Sequence, residues 1–231
     1  MSTPSGNQLL DALSAECRKT VLSRSKHVAL PVRSRLYWPG EMPQYAFFMT
    51  SGIASVVATL NDGGTTEVGV IGSEGLAGAF HVIGPIPQMT ECFMQVAGAA
   101  HRIPLVALRE LFLGYEEIRG RILEFVQAHS LALGQVAACN KLHEAESRLA
   151  RWLLMIGDRI ESDTIHITQE FLGQMIGTRR TTVNGVLSSM EQKGLIHHQR
   201  GRITIPDRGK LEKAACDCYP ILRDSVLRLY R

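Results

Sequence analysis

The sequence has no basic stretch followed by an apolar one at its opening, MSTPSGNQLL, so no export leader is expected. Long apolar runs are lacking too. The most weakly polar stretch, AFFMTSGIASVVATL, is broken by Thr, Ser and Gly and alternates too closely to span a membrane. A cytoplasmic chain with no membrane partner is expected. Cysteine is sparse and scattered: Cys17, Cys92, Cys139, Cys216 and Cys218 make five, an odd number that suits reduced thiols rather than a disulfide framework. No N-terminal set of three or four could hold an iron-sulfur cluster. Cys216 and Cys218 stand two apart, and positions i and i+2 of a helix diverge, so they are read as structural and no metal site is assigned. Neither a Ser-His-Asp constellation nor a phosphate-binding glycine loop appears at usable spacing. No catalytic residue and no cofactor is therefore expected.

What is present suits a soluble globular protein. At 231 residues, 45% hydrophobic and 20% charged, the chain can bury a core and has room for two modest domains. Its net charge of +3 is small but unevenly placed. Between Thr164 and Lys210 stand Arg179, Arg180, Lys193, Arg200, Arg202, Arg208 and Lys210 against Glu170, Glu191 and Asp207, an excess of four positive charges. An anionic partner is expected there.

Three kinds of periodicity divide the chain. From residue 28 to about 106, alternation such as Ala54, Val56, Ala58 and Leu60, a turn at residues 61–64 and frequent Gly and Pro predict an antiparallel roll. From Leu105 to Asn140 the pattern is that of one long helix. Ile118, Ile122, Phe125, His129, Ala132, Val136 and Cys139 recur at alternating steps of four and three, a heptad seam predicted to pair with its copy in a second subunit. A neighbouring stripe, Leu123, Val126 and Leu133, is expected to cover the roll, although both stripes could instead be buried within one chain. Beyond Asn140 three helices and a small hairpin are predicted. The expected fold is α+β: an antiparallel, jelly-roll-like sensor domain over 8–106, a dimerisation helix over 107–140, a winged helix-turn-helix over 141–210 and a helical tail over 211–231.

Within the third part, residues 168–188 carry the strongest motif. Leu172, Gly173, Ile176, Gly177, Val183 and Val186 supply the small residues, turn glycine and apolar offsets that let two helices cross steeply. Thr168 is a suitable N-cap for a helix beginning at Gln169, and Gly177 suits its C-terminal end. Arg179 and Arg180 fall in the first turn of the second helix, where the macrodipole disfavours cations by roughly 0.3 to 1 kcal/mol each. They make sense there as grips on phosphate or a guanine edge. Thr181, Thr182 and Asn184 offer short hydrogen-bonding groups beside them. Arg200 and Arg202 flank the hairpin tip at Gly201, and His198 stands next to that wing, all three placed for phosphate contact. Thr168 and Gln169, at the start of the first helix, complete the expected DNA-binding set.

The order of roll, long helix and winged motif, together with ITQEFLGQMIGTRRTTVNGVLSSMEQKGLI, resembles the Crp/Fnr family of bacterial transcription regulators. The resemblance implies a homodimer that reads a two-fold symmetric site on double-stranded DNA. One recognition helix would enter each half-site, a signal sensed in the roll would be relayed through the long helix, and RNA polymerase would be a partner if the protein activates. Family readers commonly carry a Glu and an Arg four residues apart on the recognition helix. Here those positions are Thr181 and Gly185, so a different half-site is expected, with Arg180 reading a base and Arg179 and Thr182 on phosphates. Cyclic-nucleotide-binding members hold ribose and phosphate with a Gly-Glu and a downstream Arg-Ser. This roll keeps Glu74, the one ligand-binding candidate, but has no Arg between Glu74 and His101. A buried cyclic phosphate would be an uncompensated charge, so cyclic AMP is not expected.

Some residues admit two readings. His129 would meet its copy at a two-fold axis and could answer pH or metal, while its plainer role is a hydrogen-bonded core residue. Cys139 reads as a small apolar seam residue or as half of an intersubunit disulfide. The whole basic segment could also dock an acidic protein in place of DNA.

Overall fold

The structure, a computed structural model, describes residues 4–61, 63–84, 86–87, 89–178 and 180–231, without the side chains of Glu170 and Arg180. Packing divides the chain into two compact units: residues 1–58, 69–131 and 226–231 in one, 59–68 and 132–225 in the other.

The first unit begins with two short helices, α1 (Gln8–Asp11) and α2 (Ala15–Ser23). Asn7 caps α1 by accepting the Leu10 N–H at 3.0 Å and also donates to the carbonyls of Met49 and Gly75, which fixes the helix to the sheet. Strands β1 (Lys26–Leu30), β2 (Arg35–Tyr37), β3 (Tyr45–Thr59), β4 (Thr65–Ile71), β5 (Leu76–Ala77) and β6 (Thr90–Pro104) make one sheet, with α3 (Ala79–Ile83) between the last two. Its main path runs β1-β6-β3-β4, with β2 on β6 and β5 on β3. The β1–β6, β2–β6, β3–β5 and β3–β6 pairs are antiparallel, as the alternation predicts. The register between β3 and β6 shifts around Ser51 and Ile53. There Gly52 takes φ +74°, and a Cβ on Gly98 would come within 2.1 Å of the Ser51 carbonyl oxygen. Only glycine allows the two long strands to approach so closely at the irregularity that bends them. Phe48, Met49, Ile53, Met94 and Ile103 are fully buried and form its core.

The segment from Leu105 to Asn140 is not one helix. It comprises α4 (Leu105–Gly114) and α5 (Glu116–Leu142), separated at Tyr115, which is extended at φ −124°, ψ 112°. Gly114 weakens the end of α4, and Glu116 and Glu117 favour a fresh start because their charges face the positive end of the new helix. The heptad seam also faces a different partner from the one its spacing suggested. Ile118, Ile122, Phe125, His129, Val136 and Cys139 are buried within a single chain, and Ala132 is half-buried. Phe125 lies so close over Gly75 that a Cβ there would sit 2.7 Å from the ring, and His129 stacks on Phe125 with centroids 5.3 Å apart. The neighbouring side of α5 is the open one, with Leu123 at 42% and Leu131 at 69% exposure. The seam covers the interior, and Leu123 does not.

The second unit contains α6 (Ala145–Ile160), β7 (Thr164–His166), α7 (Gln169–Met175), α8 (Arg180–Gln192), β8 (His197–Gln199), β9 (Arg202–Thr204), α9 (Arg208–Ala214) and α10 (Cys218–Leu227). The wing has a third strand that the hairpin reading omits: β7 pairs with β9, giving the order β7-β9-β8. Trp152, Leu153, Ile156, Leu172, Ile176, Val183, Leu187, Met190 and Ile203 make its core. Cys216 precedes α10 and Cys218 opens it, so the two do not share a helix that would spread their side chains apart.

Candidate nucleic-acid interface

The first helix of the motif starts where its cap dictates. Thr168 Oγ1 accepts the Phe171 N–H at 3.3 Å, and Thr168 itself is extended. The helix ends at Gly177, whose φ of +59° carries the chain round so that the Thr178 N–H donates to the Gly173 carbonyl at 2.9 Å. A Cβ at Gly177 would also come within 2.8 Å of the Thr66 hydroxyl. Leu172 and Ile176 from α7 and Val183, Leu187 and Met190 from α8 are buried, which fixes the crossing of the two helices.

With Val183, Leu187 and Met190 turned inward, the opposite face of α8 presents Thr181, Thr182, Asn184, Gly185 and Ser188 to solvent. A Cβ at Gly185 would meet nothing within 4 Å, so packing within the chain does not require a glycine there. Arg179 and the side chain of Arg180, the expected phosphate and base contacts, lie outside the described residues; the Arg180 backbone opens α8.

The wing turns at Arg200 and Gly201, the latter at φ +70°, with Gln199 opposite Arg202. A groove of about 510 Å³ runs between this tip and the start of α7. Thr168, Gln169, His198, Arg200 and Arg202 line it together, joining half of the predicted DNA-binding positions in one concavity. Gln199 also lines it and accepts from the Arg202 guanidinium at 3.1 Å, a positioning role for which only its place opposite Arg202 in the hairpin was a clue.

Neighbouring carboxylates sort the segment's charges. Lys193 donates to both carboxylate oxygens of Glu146 at 2.7 and 2.9 Å, and Ser189 donates to the same group. Partial burial would raise the Glu146 pKa, but these donors outweigh it and hold the carboxyl below its usual range. Arg208 pairs with Asp158, donates to the Tyr219 hydroxyl at 2.7 Å and lies 3.2 Å from Glu212. Burial opposes the Arg208 charge, yet Asp158 overcomes it and pushes its pKa up. His198 is tied back as well: its N–H donates to Glu191 at 3.1 Å and its ring Nδ1 lies 2.9 Å from the same carboxylate. The His198 N–H, foremost, lowers the Glu191 pKa. Arg200 and Arg202 are exposed at the wing tip, while Lys193 and Arg208 serve the fold. His198 holds the wing to α8 through one side of its ring.

Glu74, in the other unit, is buried, and the Tyr230 hydroxyl donates to its carbonyl at 2.8 Å.

Residues 147–214 match the Crp-like helix-turn-helix domain family. Over 195 residues the chain is 22% identical to a CRP-like cAMP-activated global transcriptional regulator of Mycobacterium tuberculosis, covering 81% of this chain and 87% of the relative. A protein assigned to the Crp/Fnr family of transcriptional regulators from Eubacterium rectale aligns at TM-score 0.73 and 14% identity, over 91% of this chain and 99% of the other. The c-di-GMP responsive global regulator CLP of Xanthomonas campestris aligns at TM-score 0.69 and 18% identity, over 83% and 99%. These structural likenesses establish the fold.

Proposed function

We propose that this chain, whose residues 147–214 match the Crp-like helix-turn-helix domain family, is a Crp/Fnr-type DNA-binding transcription regulator that works as a cytoplasmic homodimer on a two-fold symmetric operator. In this reading α8 enters the major groove, Arg180 reads a base, and Thr181, Thr182 and Asn184 contact base edges or phosphates. Arg179, the wing arginines, Thr168 and Gln169 hold the flanking backbone. The observation that carries it is the groove that brings Thr168, Gln169, Arg200 and Arg202 together, in a unit whose α8 has a polar, exposed outer face.

Residues 8–106 act as the sensor, 107–140 as the dimerisation helix, 141–210 as the DNA-binding domain and 211–231 as its helical tail. The Mycobacterium tuberculosis relative is described as cAMP-activated. Here the absence of an arginine between Glu74 and His101 argues for a different signal. RNA polymerase is a further partner where the bound dimer activates. The dimer reading now rests on the open side of α5. Gly120, Leu123, Gln127, Ser130, Gly134 and Ala137 follow steps of three and four, and all are exposed. By length and composition α5 could also cross a membrane, but its other side is packed on its own chain, which favours a second copy of the helix as its cover.

Selection from random duplexes tests the reading. An enriched palindrome is expected, with affinity falling steeply as salt rises. Arg180→Ala should cost about 1 to 3 kcal/mol on that site and little on random duplex. Equal losses on both would remove Arg180 from base reading, and failure to bind any duplex would favour an acidic protein partner.

A further inference from the structure

Four soft ligand atoms converge inside the second unit. Cys139 lies near the end of α5, and the chain keeps its helical turn one residue past that end, with the His143 N–H donating to the Cys139 carbonyl at 3.1 Å. The i, i+4 spacing puts both side chains on one face. Cys216 sits in the turn after α9, and Cys218 begins α10. The three Sγ atoms and a ring nitrogen of His143 all lie within 4.8 Å of one another. Cys139 Sγ is 3.5 Å from Cys216 Sγ, and Cys218 Sγ is 3.6 Å from His143 Nδ1.

Those separations have a chemical meaning. A disulfide requires sulfurs about 2.05 Å apart, well short of the Cys139–Cys216 distance. A tetrahedral ion with Zn–S near 2.3 Å and Zn–N near 2.0 Å sets its ligand atoms roughly 3.5 to 3.8 Å from one another. We propose that Cys139, His143, Cys216 and Cys218 form a closed, four-coordinate site for zinc. Three thiolates with one imidazole is a soft, structural donor set that leaves no position for substrate.

The surroundings fit an ion. With Nδ1 turned to the cluster, His143 Nε2 lies 3.3 Å from the Asp217 carboxylate, the outer partner that orients a metal-bound imidazole and fixes its tautomer. Gln135 donates to Cys218 Sγ at 3.0 Å, as an amide does to a thiolate. Three thiolates around a dication leave one negative charge. Arg151, 2% exposed on α6, is near enough to act electrostatically on Cys139 and Cys216 and would balance it. All three cysteines are buried, and His143 is half-buried. Zinc here joins the end of α5 to the α9–α10 turn, 77 residues further along the chain, independently of which DNA the protein reads.

The test uses the full chain purified anaerobically with its thiols reduced. Metal analysis is expected to give one zinc per chain. Cobalt substitution should give thiolate-to-cobalt charge transfer with the intense visible bands of a tetrahedral ion. Cys216→Ser and Cys218→Ser should lose the metal, and Cys17→Ser should keep it. Because a ligand variant can fail to fold, the wild-type chain is also titrated with an organomercurial, and zinc should leave in step with thiol modification. A chain that stays metal-free in excess zinc overturns the site, as does bound cobalt without thiolate charge transfer. So does a Cys139–Cys216 disulfide in the anaerobic preparation.

Discussion

Trp152 donates its indole N–H to the Glu67 carboxylate at 2.8 Å, and both side chains are buried, at 1% and 4% exposure. A buried indole N–H without an acceptor costs about 1 to 3 kcal/mol, because water is not there to replace the lost partner. Glu67→Ala is therefore expected to lower unfolding stability by about that amount. Glu67→Gln, which keeps a carbonyl acceptor at the same reach, should lose less. Urea denaturation followed by tryptophan fluorescence measures both, and equal losses would show that the charge of Glu67 matters more than its hydrogen bond.

The basic segment divides into cations engaged by carboxylates and cations exposed at the wing, which the proposed function assigns to DNA. Arg200 and Arg202 stand exposed at the wing tip, while Lys193 is engaged by Glu146. Each phosphate contact contributes about one unit to the slope of log affinity against log salt. Arg200→Ala and Arg202→Ala should each flatten that slope by about 0.9, and Lys193→Ala should leave it unchanged. Duplex titrations across salt concentrations measure the difference.

The same Lys193–Glu146 pair predicts a pH dependence. Glu146 has a folded pKa below its ordinary value of 4.5, so its contribution to stability is present above that value and is lost as pH falls through the folded pKa. Wild type should melt above Lys193→Ala near neutrality, and the gap should close in acid. A gap that persists undiminished at low pH would mean that the Lys193 stem, not its charge, does the stabilising.

What the sequence discloses here is mostly local. Thr168 as a cap and Gly177 as a left-handed terminus were legible because each depends on its own few residues. The period of Ile118, Ile122 and Phe125 was also legible, but period identifies the buried side of a helix and not what buries it, so an inward face passed for a subunit seam. Strand β7 has three residues, too few to show alternation, and takes its place by pairing with β9. The approach of Cys139 to Cys216 is tertiary and leaves no trace in spacing. Charge counting likewise sees Lys193 and Arg208 but not Glu146 and Asp158 facing them.

Gly185 lies in the middle of α8, exposed, with room for a side chain. A helical glycine is less stable than alanine by about 1 kcal/mol, a cost that the chain's own packing does not explain. Gly185→Ala should therefore raise stability by up to about 1 kcal/mol. If the bare backbone there admits a close approach to DNA, the same change should weaken operator binding. Stabilisation with unchanged binding would mean that nothing approaches Gly185 in the complex.

The open side of α5 supplies the last test. Leu131, at 69% exposure, is the most exposed leucine in the middle of the helix, and Gly134 and Ala138 beside it are small enough for a second helix to pack closely. Leu131→Glu would place like charges opposite each other across a two-fold axis and is expected to shift the protein from dimer to monomer in light scattering while its melting as a folded chain persists. Ile122, fully buried on the inner side, should behave in the opposite way. Ile122→Ala is expected to cost about 2 to 5 kcal/mol of stability and to leave the interface residues in place. If wild type is already monomeric at micromolar concentration, α5 does not self-associate. If Ile122→Ala dissociates the dimer and Leu131→Glu does not, the inner face is the subunit contact after all.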